Sequence, residues 1–439
     1  MDALWDIIRP TPMTNAEVIH ASRDQIKMEG GPQAQIKPAA GNVGSARKPV
    51  LINKLEGCPD EINQAVIIPR EDGVISVCDD RTVRVWLKRD TGQYWPSICH
   101  SMPVAPTSLD YNSESRRLFI GLDSGTINVS TSLRRFFAHQ SRVTSIFFAL
   151  HCEWMMSTSR DKYFQWHCSE TGRRLGGYQT SAWCTCCQFD IQSRYAFVGD
   201  YSGQISVIKI SDTNFEIITT LKGHSGSIRS LAWDAEKKLL FSGSFDQSII
   251  VWDIGGQQGT AFELQGHHDK VQSILYSTSS KQLVSVGDDC MLVFWAMDVK
   301  RQETPEWKDG DHCQKCGSPF FWNLKKMWDD RTIGTRQHHC RKCGKAVCNK
   351  CSQNRTSIPV MGYEFDVRVC EECSKLVLDE DRVPLATFHD SRHSVTYMHL
   401  DEFRKILLTV GKDRVMKVSL HHPVWLNISS PYHISHYNR

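Results

Sequence analysis

Short apolar segments separated by Gly, Ser and Asp make up most of this chain. Stretches such as L-F-S-G-S-F-D and I-I-V-W-D combine β-branched and aromatic residues with turn formers, which is typical of short strands joined by tight turns. One arrangement recurs, in which an Asp precedes alternating apolar residues and, in the clearest copies, a Trp. Its Asp residues, spaced 38 to 46 residues apart, are Asp80, Asp123, Asp161, Asp200, Asp246 and Asp289. A period near 40 residues predicts a repeat architecture with one small sheet in each repeat.

The repeats resemble WD40 repeats, each of which forms one four-stranded propeller blade. The resemblance rests on the surviving tryptophans and on Gly-His or Ala-His dipeptides upstream of the clearest copies; the tryptophans are Trp86, Trp166, Trp252 and Trp295. A seventh copy carries Asp413, and we expect His389 to be its upstream histidine. Residues 49–55 are strand-like and are predicted to complete the last blade. The predicted fold is therefore all-β, a seven-bladed propeller closed by its own N-terminal strand.

Four C-x-x-C pairs lie between residues 313 and 373. They contain eight of the 17 cysteines, namely Cys313, Cys316, Cys340, Cys343, Cys348, Cys351, Cys370 and Cys373. Thiolates with two residues between them bind one tetrahedral Zn²⁺, so eight of them predict two closed, structural zinc sites. Closed sites leave no position for a reactive water, which argues against zinc-assisted hydrolysis.

The string R-Q-H-H-C-R-K-C-G, followed later by R-V-C, resembles the FYVE zinc finger, which reads phosphatidylinositol 3-phosphate on endosomes. FYVE fingers cross-brace their ligands, which implies that Cys313, Cys316, Cys348 and Cys351 share one zinc while Cys340, Cys343, Cys370 and Cys373 share the other. The resemblance implies that the cationic residues of the motif bind the lipid headgroup; these are Arg336, His338, His339, Arg341 and Arg368. His338 and His339 also have an alternative interpretation, as supports for the zinc cluster.

The finger departs from the family pattern in three places. FYVE fingers carry a second basic residue where this chain has Gln337, and their W-x-x-D motif is out of register here. Asp309 and Asp311 both remain candidates to accept hydrogen bonds from the inositol hydroxyls. The segment before the basic string is longer than usual and rich in aromatic residues, most of which we expect to pack on the zinc core. Ile333 is the predicted apolar tip that enters the bilayer.

WD repeats followed by this finger resemble the WD repeat and FYVE domain-containing proteins, with the finger inserted between blades six and seven. The predicted division of the chain is a disordered extension over 1–47, blades one to six with the closing strand over 48–302, the finger over 303–376, the seventh blade over 380–420, and an atypical tail over 421–439.

Composition adds a compartment but no catalytic chemistry. The net charge is +3, so the positive charge that matters is local, and zinc-thiolate pairs with unpaired cysteines indicate a reducing compartment. The acidic start M-D-A-L-W-D is not a signal peptide, and no apolar run approaches 18 residues. We therefore expect a cytoplasmic protein, peripheral on early endosomes. No G-x-S-x-G, P-loop or H-E-x-x-H motif is present, so we expect no enzyme activity.

Three functional hypotheses remain open at this level. The first is an endosomal scaffold: the finger binds phosphatidylinositol 3-phosphate, and the propeller holds partners such as kinases or signalling adaptors, with dimerisation as a source of avidity and no role for nucleic acid. The second is a RING-like ubiquitin ligase, because RING fingers also cross-brace. The third is a scaffold whose lipid binding is weakened by Gln337 and the displaced acidic residue.

Overall fold

The computed structural model describes residues 48–421, apart from positions 70, 131–133, 213, 256–260, 304, 330 and 332. The predicted extension over 1–47 and the predicted tail beyond residue 421 lie outside the described residues. Nearly all regular structure in the described part is β-strand, as the sequence predicts. None of the helices in this part is both long and apolar enough to cross a bilayer.

Seven antiparallel four-stranded sheets form the propeller. Blade one contains β2 (Ile62–Ile68), β3 (Gly73–Cys78), β4 (Thr82–Lys88) and β5 (Tyr94–Ser101). Blade two contains β6 (Pro106–Asn112), β7 (Arg117–Leu122), β8 (Thr126–Val129) and β9 (Arg134–Phe137). Blade three contains β10 (Val143–Ala149), β11 (Trp154–Ser159), β12 (Tyr163–Cys168) and β13 (Arg174–Gln179). The strands of blades four and five are β14 (Cys184–Asp190), β15 (Tyr195–Asp200), β16 (Gln204–Ile210) and β17 (Phe215–Lys222); and β18 (Ile228–Asp234), β19 (Leu239–Ser244), β20 (Ser248–Asp253) and β21 (Ala261–Gln265). The strands of blades six and seven are β22 (Val271–Ser277), β23 (Gln282–Gly287), β24 (Met291–Ala296) and β29 (Ala386–Asp390); and β30 (Val395–Asp401), β31 (Ile406–Gly411), β32 (Met416–Leu420) and β1 (Val50–Leu55).

The ring closes through its innermost strands. Each of β2, β6, β10, β14, β18 and β22 contacts the innermost strand of the next blade, and β30 contacts β2. The core lies between neighbouring blades, where wholly buried strands such as β3 meet the next sheet. β1 pairs antiparallel with β32, so the first described strand completes the last blade. This pairing leaves blade seven with a full sheet and ties the two ends of the propeller together.

Buried His–Asp pairs brace the turns of four blades. In blade five, His224 Nδ1 lies 2.9 Å from Asp246 and its Nε2 lies 2.8 Å from the Ser242 hydroxyl, which also accepts a hydrogen bond from the Trp252 indole. The same four-residue network recurs in blade six as His267, Asp289, Ser285 and Trp295. Such fully bonded networks explain why the Asp and Trp positions of the repeat are so regular.

Other blades keep parts of this network. Blade three joins Asp161 to His139 while Trp166 packs in the core, and blade one has no histidine: Asp80 pairs with Arg84, and the Trp86 indole donates to Ser76.

In blade seven the bracing histidine is His393 and not His389. His393 Nδ1 lies 3.2 Å from Asp413, and its Nε2 lies 3.2 Å from the Thr409 hydroxyl. His389 sits on β29, the outer strand of blade six, with its ring against Phe294. The prediction that His389 braces this turn was therefore wrong. Two histidines, four residues apart, precede this degenerate repeat, and the second of them takes the bracing position.

The finger occupies the connection between the third and fourth strands of blade six. β24 comes before the finger and β29 after it, yet the two strands pair directly, with Trp295 opposite Ala386. The finger was predicted to lie between blades six and seven, but it is inserted within blade six. A sequence repeat contains the outer strand of the preceding blade, so the repeat boundary and the blade boundary differ by one strand.

Short elements build the finger itself. They are α1 (Leu324–Asp329), β25 (His338–His339), β26 (Ala346–Val347), β27 (Arg355–Ile358), β28 (Tyr363–Arg368) and α2 (Glu371–Leu376), with 3₁₀ turns at Lys350–Ser352, Pro359–Met361 and Glu380–Arg382.

The finger is fastened to blade five by strand addition. β28 joins β21 in parallel through Gln265 and Tyr363, and the Gln265 amide donates to the Gly362 carbonyl at 2.8 Å. Gly362 has φ +89°, and a Cβ there would lie 1.9 Å from the Glu263 carbonyl oxygen, so only glycine fits this approach. Phe365 stacks on His268 with ring centroids 4.3 Å apart. The β27–β28 hairpin of the finger therefore extends the blade five sheet beyond its outer strand β21.

Candidate metal centres and an adjoining cationic surface

The eight cysteines form two separate tetrads. One contains Cys313, Cys316, Cys348 and Cys351, and the other contains Cys340, Cys343, Cys370 and Cys373; within each tetrad all four sulfur atoms lie within 4.8 Å of one another. This grouping has the composition that the cross-brace resemblance implies. The interleaving joins the first C-x-x-C loop to the third and the second to the fourth, so neither site can form from one local segment.

The surroundings of the sulfur atoms fit thiolates bound to zinc. The Cys348 amide donates to the Cys313 sulfur at 3.3 Å, and the Cys370 amide donates to the Cys340 sulfur at 3.2 Å. Four thiolates converging on one point are the donor set of a structural zinc site, and no fifth position is left for water. The two tetrads are therefore suited to bind two zinc ions.

The rest of the finger core is small. Phe320, Val347, Ile358, Met361 and Tyr363 are buried among the cysteines. A domain with so few buried apolar side chains depends on its metals for stability.

Arginine side chains gather beside the second tetrad. Arg368 lies on β28, and the backbone N–H of Arg341 donates a hydrogen bond to the Arg368 carbonyl at 3.0 Å. Partial burial, followed by the charges of Arg355, Arg336 and Arg341, lowers the pKa of Arg368. The positive charges of Arg336, Arg341 and Arg355 act on Arg368 in this way because the four guanidinium groups form one cationic surface.

Arg355 is the member of this surface that sequence reasoning missed. It lies on β27 directly opposite Arg368 on β28, and its side chain is exposed. It stands outside the R-Q-H-H-C-R-K-C-G string, so only the register of the β27–β28 hairpin reveals it. Arg368 is held in place by hydrogen bonds from its guanidinium to the Asn349 side chain and the Ser352 carbonyl, at 2.9 and 2.8 Å.

Trp307 organises the other side of the cationic surface. Its ring stacks on His339 with centroids 5.0 Å apart, and the Arg341 guanidinium lies 4.5 Å from the Trp307 centroid. Asp309 approaches the same group, with its carboxylate 3.9 Å from His339 Nε2, and is almost fully exposed. Asp311 is turned away toward Asn323, which donates to it at 2.9 Å. The geometry therefore favours Asp309 over Asp311 as the acidic residue of this surface.

An exposed apolar edge borders the arginines. Phe320 is buried, but the other large apolar side chains of this edge are between 54% and 85% exposed; they are Phe321, Trp322, Leu324, Trp328 and Ile333. The expectation that most aromatic residues of this segment pack on the zinc core is wrong, because Phe320 and Tyr363 already fill that core. Met327 of α1 lies beside Gly334, which precedes Arg336 of the basic string by two residues. The apolar edge and the cationic surface are therefore contiguous.

Fold and site together define a class: a WD40 propeller carrying a two-zinc FYVE finger. The profile of the FYVE zinc finger matches residues 305–379, close to the predicted 303–376. That of the WD domain, G-beta repeat, matches residues 130–165, 215–253 and 259–296.

Known proteins narrow this class to one family. WD repeat and FYVE domain-containing protein 2 from Homo sapiens is 55% identical over 381 residues, covering 85% of this chain and 95% of that protein. WD repeat and FYVE domain-containing protein 1 from Mus musculus is 50% identical, covering 84% of this chain and 93% of that protein. The crystal structure of the WD40 beta propeller domain of Doa1 shares the fold, with a TM-score of 0.55 at 16% identity over 84% of this chain and 96% of that one. This chain belongs to the family of WD repeat and FYVE domain-containing proteins.

Proposed function

We propose that this protein is an endosomal scaffold whose finger binds phosphatidylinositol 3-phosphate and whose propeller holds partner proteins such as kinases or signalling adaptors. The observation that supports it most is the convergence of Arg336, Arg341, Arg355 and Arg368 beside an exposed apolar edge. A phosphorylated headgroup attached to a bilayer presents the complementary pair, a compact anion above an apolar phase. The protein is then cytoplasmic and peripheral on early endosomes.

Headgroup recognition relies on charge-assisted hydrogen bonds. Guanidinium forks match the oxygen spacing of a phosphate and bind it in a defined orientation. Arg341 is pre-positioned by its contact with Trp307, and Arg368 by its bonds to Asn349 and Ser352, so little side-chain freedom is lost on binding. Asp309, beside His339, accepts from an inositol hydroxyl.

Membrane insertion in this proposal extends beyond Ile333. Trp328 is as exposed as Ile333, and α1 places it on the same edge as Leu324. Lys325 and Lys326 on the same helix add attraction to anionic lipid, worth about 1 kcal/mol per cation near the surface. One finger still buries little area, so membrane residence is transient unless a second finger or a membrane-bound partner adds avidity.

Liposome co-sedimentation tests this proposal. Arg341→Ala or Arg336→Ala removes charge-assisted hydrogen bonds worth about 1.5–3 kcal/mol, so binding to liposomes containing phosphatidylinositol 3-phosphate falls roughly 10- to 150-fold. Arg382→Ala is the matched control, because this exposed arginine lies after the finger core and forms an ion pair with the exposed Asp379. Zinc content is measured on each variant to show that the fold is intact.

The alternatives give different outcomes in the same assay. If the protein is a RING-like ligase, or a scaffold with weakened lipid binding, its liposome binding is not increased by phosphatidylinositol 3-phosphate. Variants at Arg336 and Arg341 that retain wild-type binding would also refute the proposal.

A further inference from the structure

One end of the propeller channel is unusually basic on blade five. The innermost strand of every blade begins with a bulge, and the bulged residue lies at this end of the channel. In blade five that residue is Arg229. The other six are small or neutral polar residues, namely Asn63, Thr107, Thr144, Thr185, Gln272 and Thr396. We call this end the upper mouth; it is also the end that carries the turns between second and third strands.

Two more arginines approach Arg229 from blade three. Arg142 directly precedes β10, and Arg160 opens the β11–β12 turn, where its amide donates to the Arg142 carbonyl at 3.1 Å. Arg229 is exposed to solvent at the channel. Neighbouring protein atoms still displace part of the water around its guanidinium group, and this desolvation, with the charges of Arg142 and Arg160, lowers the pKa of Arg229. Arg142, Arg160 and Arg229 all line the channel cavity.

Two of the three arginines lack an acidic partner. Arg142 lies 3.5 Å from Asp123 and donates to Asn63 at 3.0 Å. For Arg160 and Arg229, no carboxylate of the described residues lies within ion-pair distance. Their guanidinium groups instead lie over aromatic rings, Arg160 at 5.8 Å from the Trp183 centroid and Arg229 at 5.5 Å from that of Phe245.

Asp288, an acidic residue of this rim whose charge acts on Arg229, is already engaged. Asp288 accepts hydrogen bonds from Lys412 at 2.6 Å and from Gln272 at 2.9 Å. The aromatic contacts fix the two unpaired arginines without neutralising them.

The space in front of these arginines suits a peptide side chain. The channel cavity is about 660 Å³ and opens between these blades. Trp183 and Tyr201 stand at its rim, about half exposed, with ring centroids 5.5 Å apart. Tyr, Trp and Arg are the residues that most often anchor peptide and protein partners. Clustered arginines with free forks are the means by which proteins recognise phosphorylated side chains.

We propose that the upper mouth of the propeller binds a phosphorylated side chain of a partner peptide, with Arg160 and Arg229 on the phosphate and Trp183 and Tyr201 against the flanking residues. A phosphate carries close to two negative charges on three acceptor oxygens, so it can accept from both guanidinium forks at once and balances more of their charge than a single carboxylate does. This inference rests on the scaffold role proposed above and adds the chemical class of the partner.

Fluorescence polarisation with degenerate peptide pools tests the proposal. The probe is a labelled nine-residue pool with one central phosphoserine, compared with the same pool carrying serine or glutamate at that position. Full-length protein is expected to bind the phosphoserine pool at least fivefold more tightly than the serine pool, with the glutamate pool in between. Millimolar inorganic phosphate is expected to reduce this preference.

Variants assign the effect to the upper mouth. Arg160→Gln and Arg229→Gln, singly and together, are expected to abolish the phosphoserine preference. Arg173→Gln, an exposed arginine in the β12–β13 turn on the opposite face, is expected to keep it. Equal binding of all three pools to wild type would overturn the proposal, as would a preference that survives in the double variant.

Lipid binding separates this inference from the scaffold proposal. Liposome binding of the Arg160→Gln and Arg229→Gln variants is expected to match wild type, because both residues lie on the propeller. Loss of peptide preference with normal lipid binding supports the inference. Failure of lipid binding in the wild type refutes the proposed function alone.

Discussion

We expect Glu364 to make the joint between finger and propeller, where β28 pairs with β21, sensitive to pH. Its carboxyl group is buried at the joint, where burial raises its pKa to about 7 despite the nearby charge of Arg301. One carboxyl oxygen accepts from the Leu385 amide at 3.4 Å, and the other is buried without a hydrogen-bond partner among the described residues. Arg301 is directed elsewhere, because its guanidinium donates to the Pro359 and Ala296 carbonyls.

The sign of the effect follows from linkage. A carboxyl group whose pKa is higher in the folded state binds more protons there, so the closed joint is most stable at low pH and loses stability as pH rises. The window lies between the ordinary value of 4.5 and about 7. Each pKa unit is worth about 1.4 kcal/mol, so the full change amounts to about 3 kcal/mol. This energy corresponds to a change of roughly 300-fold in the population of the opened joint over the whole window, and of somewhat less than 100-fold between pH 5 and pH 8.

Hydrogen exchange at the joint measures this change. The Gln265 amide, bonded to the Gly362 carbonyl, reports opening of the β21–β28 pairing. Its protection factor is expected to fall up to about 100-fold between pH 5 and pH 8 in wild type, and to stay nearly constant in Glu364→Gln. Asp366→Asn, an exposed acid on the same strand, is the matched control and keeps the wild-type slope. Equal slopes in wild type and Glu364→Gln would refute the reasoning.

Two further predictions concern the finger. A strong chelator removes two zinc ions, each worth on the order of 10 kcal/mol to the finger, and unfolds it while the blades persist; elemental analysis is expected to give two zinc per chain and one in Cys348→Ser, and any other stoichiometry refutes the tetrads. Ile333→Ser and Trp328→Ser each remove an apolar side chain that the bilayer buries, at about 1.5–3 kcal/mol for full burial, so liposome binding falls about tenfold or more. Leu378→Ser, equally apolar but beyond the finger core, is the control, and equal loss in all three variants contradicts insertion by this edge.

The sequence predicted the elements whose chemistry is periodic or paired. Asp246 and Trp252 mark their blade because both belong to one buried network. The C-x-x-C pairs predicted two metal sites, and the resemblance to cross-braced FYVE fingers implied that Cys313 shares a tetrad with Cys348, as it does. The sequence did not predict contacts that depend on register between distant strands. Arg355 joins the cationic surface only through its pairing with Arg368, and Arg229 gains its importance only when seven inner strands meet around one channel.

The prediction that the aromatic residues of the finger pack on its zinc core was wrong for another reason. Apolar residues near a small core are ordinarily expected to fill it, but two zinc ions replace most of the apolar packing that such a domain requires. Phe320 and Tyr363 complete that core, and Trp328 is left exposed. In a metal-stabilised domain, exposed aromatic residues therefore carry more functional information than they do in a domain stabilised by its core.

Blade five connects the two proposed binding surfaces. Its innermost strand carries Arg229 at the upper mouth, and its outermost strand ends at Gln265, where the finger adds β28. Successive strands of a blade alternate in direction, so the end of β21 lies on the same side as the beginning of β18. The finger is therefore attached at the rim that also holds the proposed phosphopeptide site. Pairing of β28 with β21 restricts the finger more than a flexible linker would, so in the proposed scaffold a partner bound at the mouth would be held at a defined distance from the membrane. Opening of the joint at Glu364 would release that restraint without removing either binding surface.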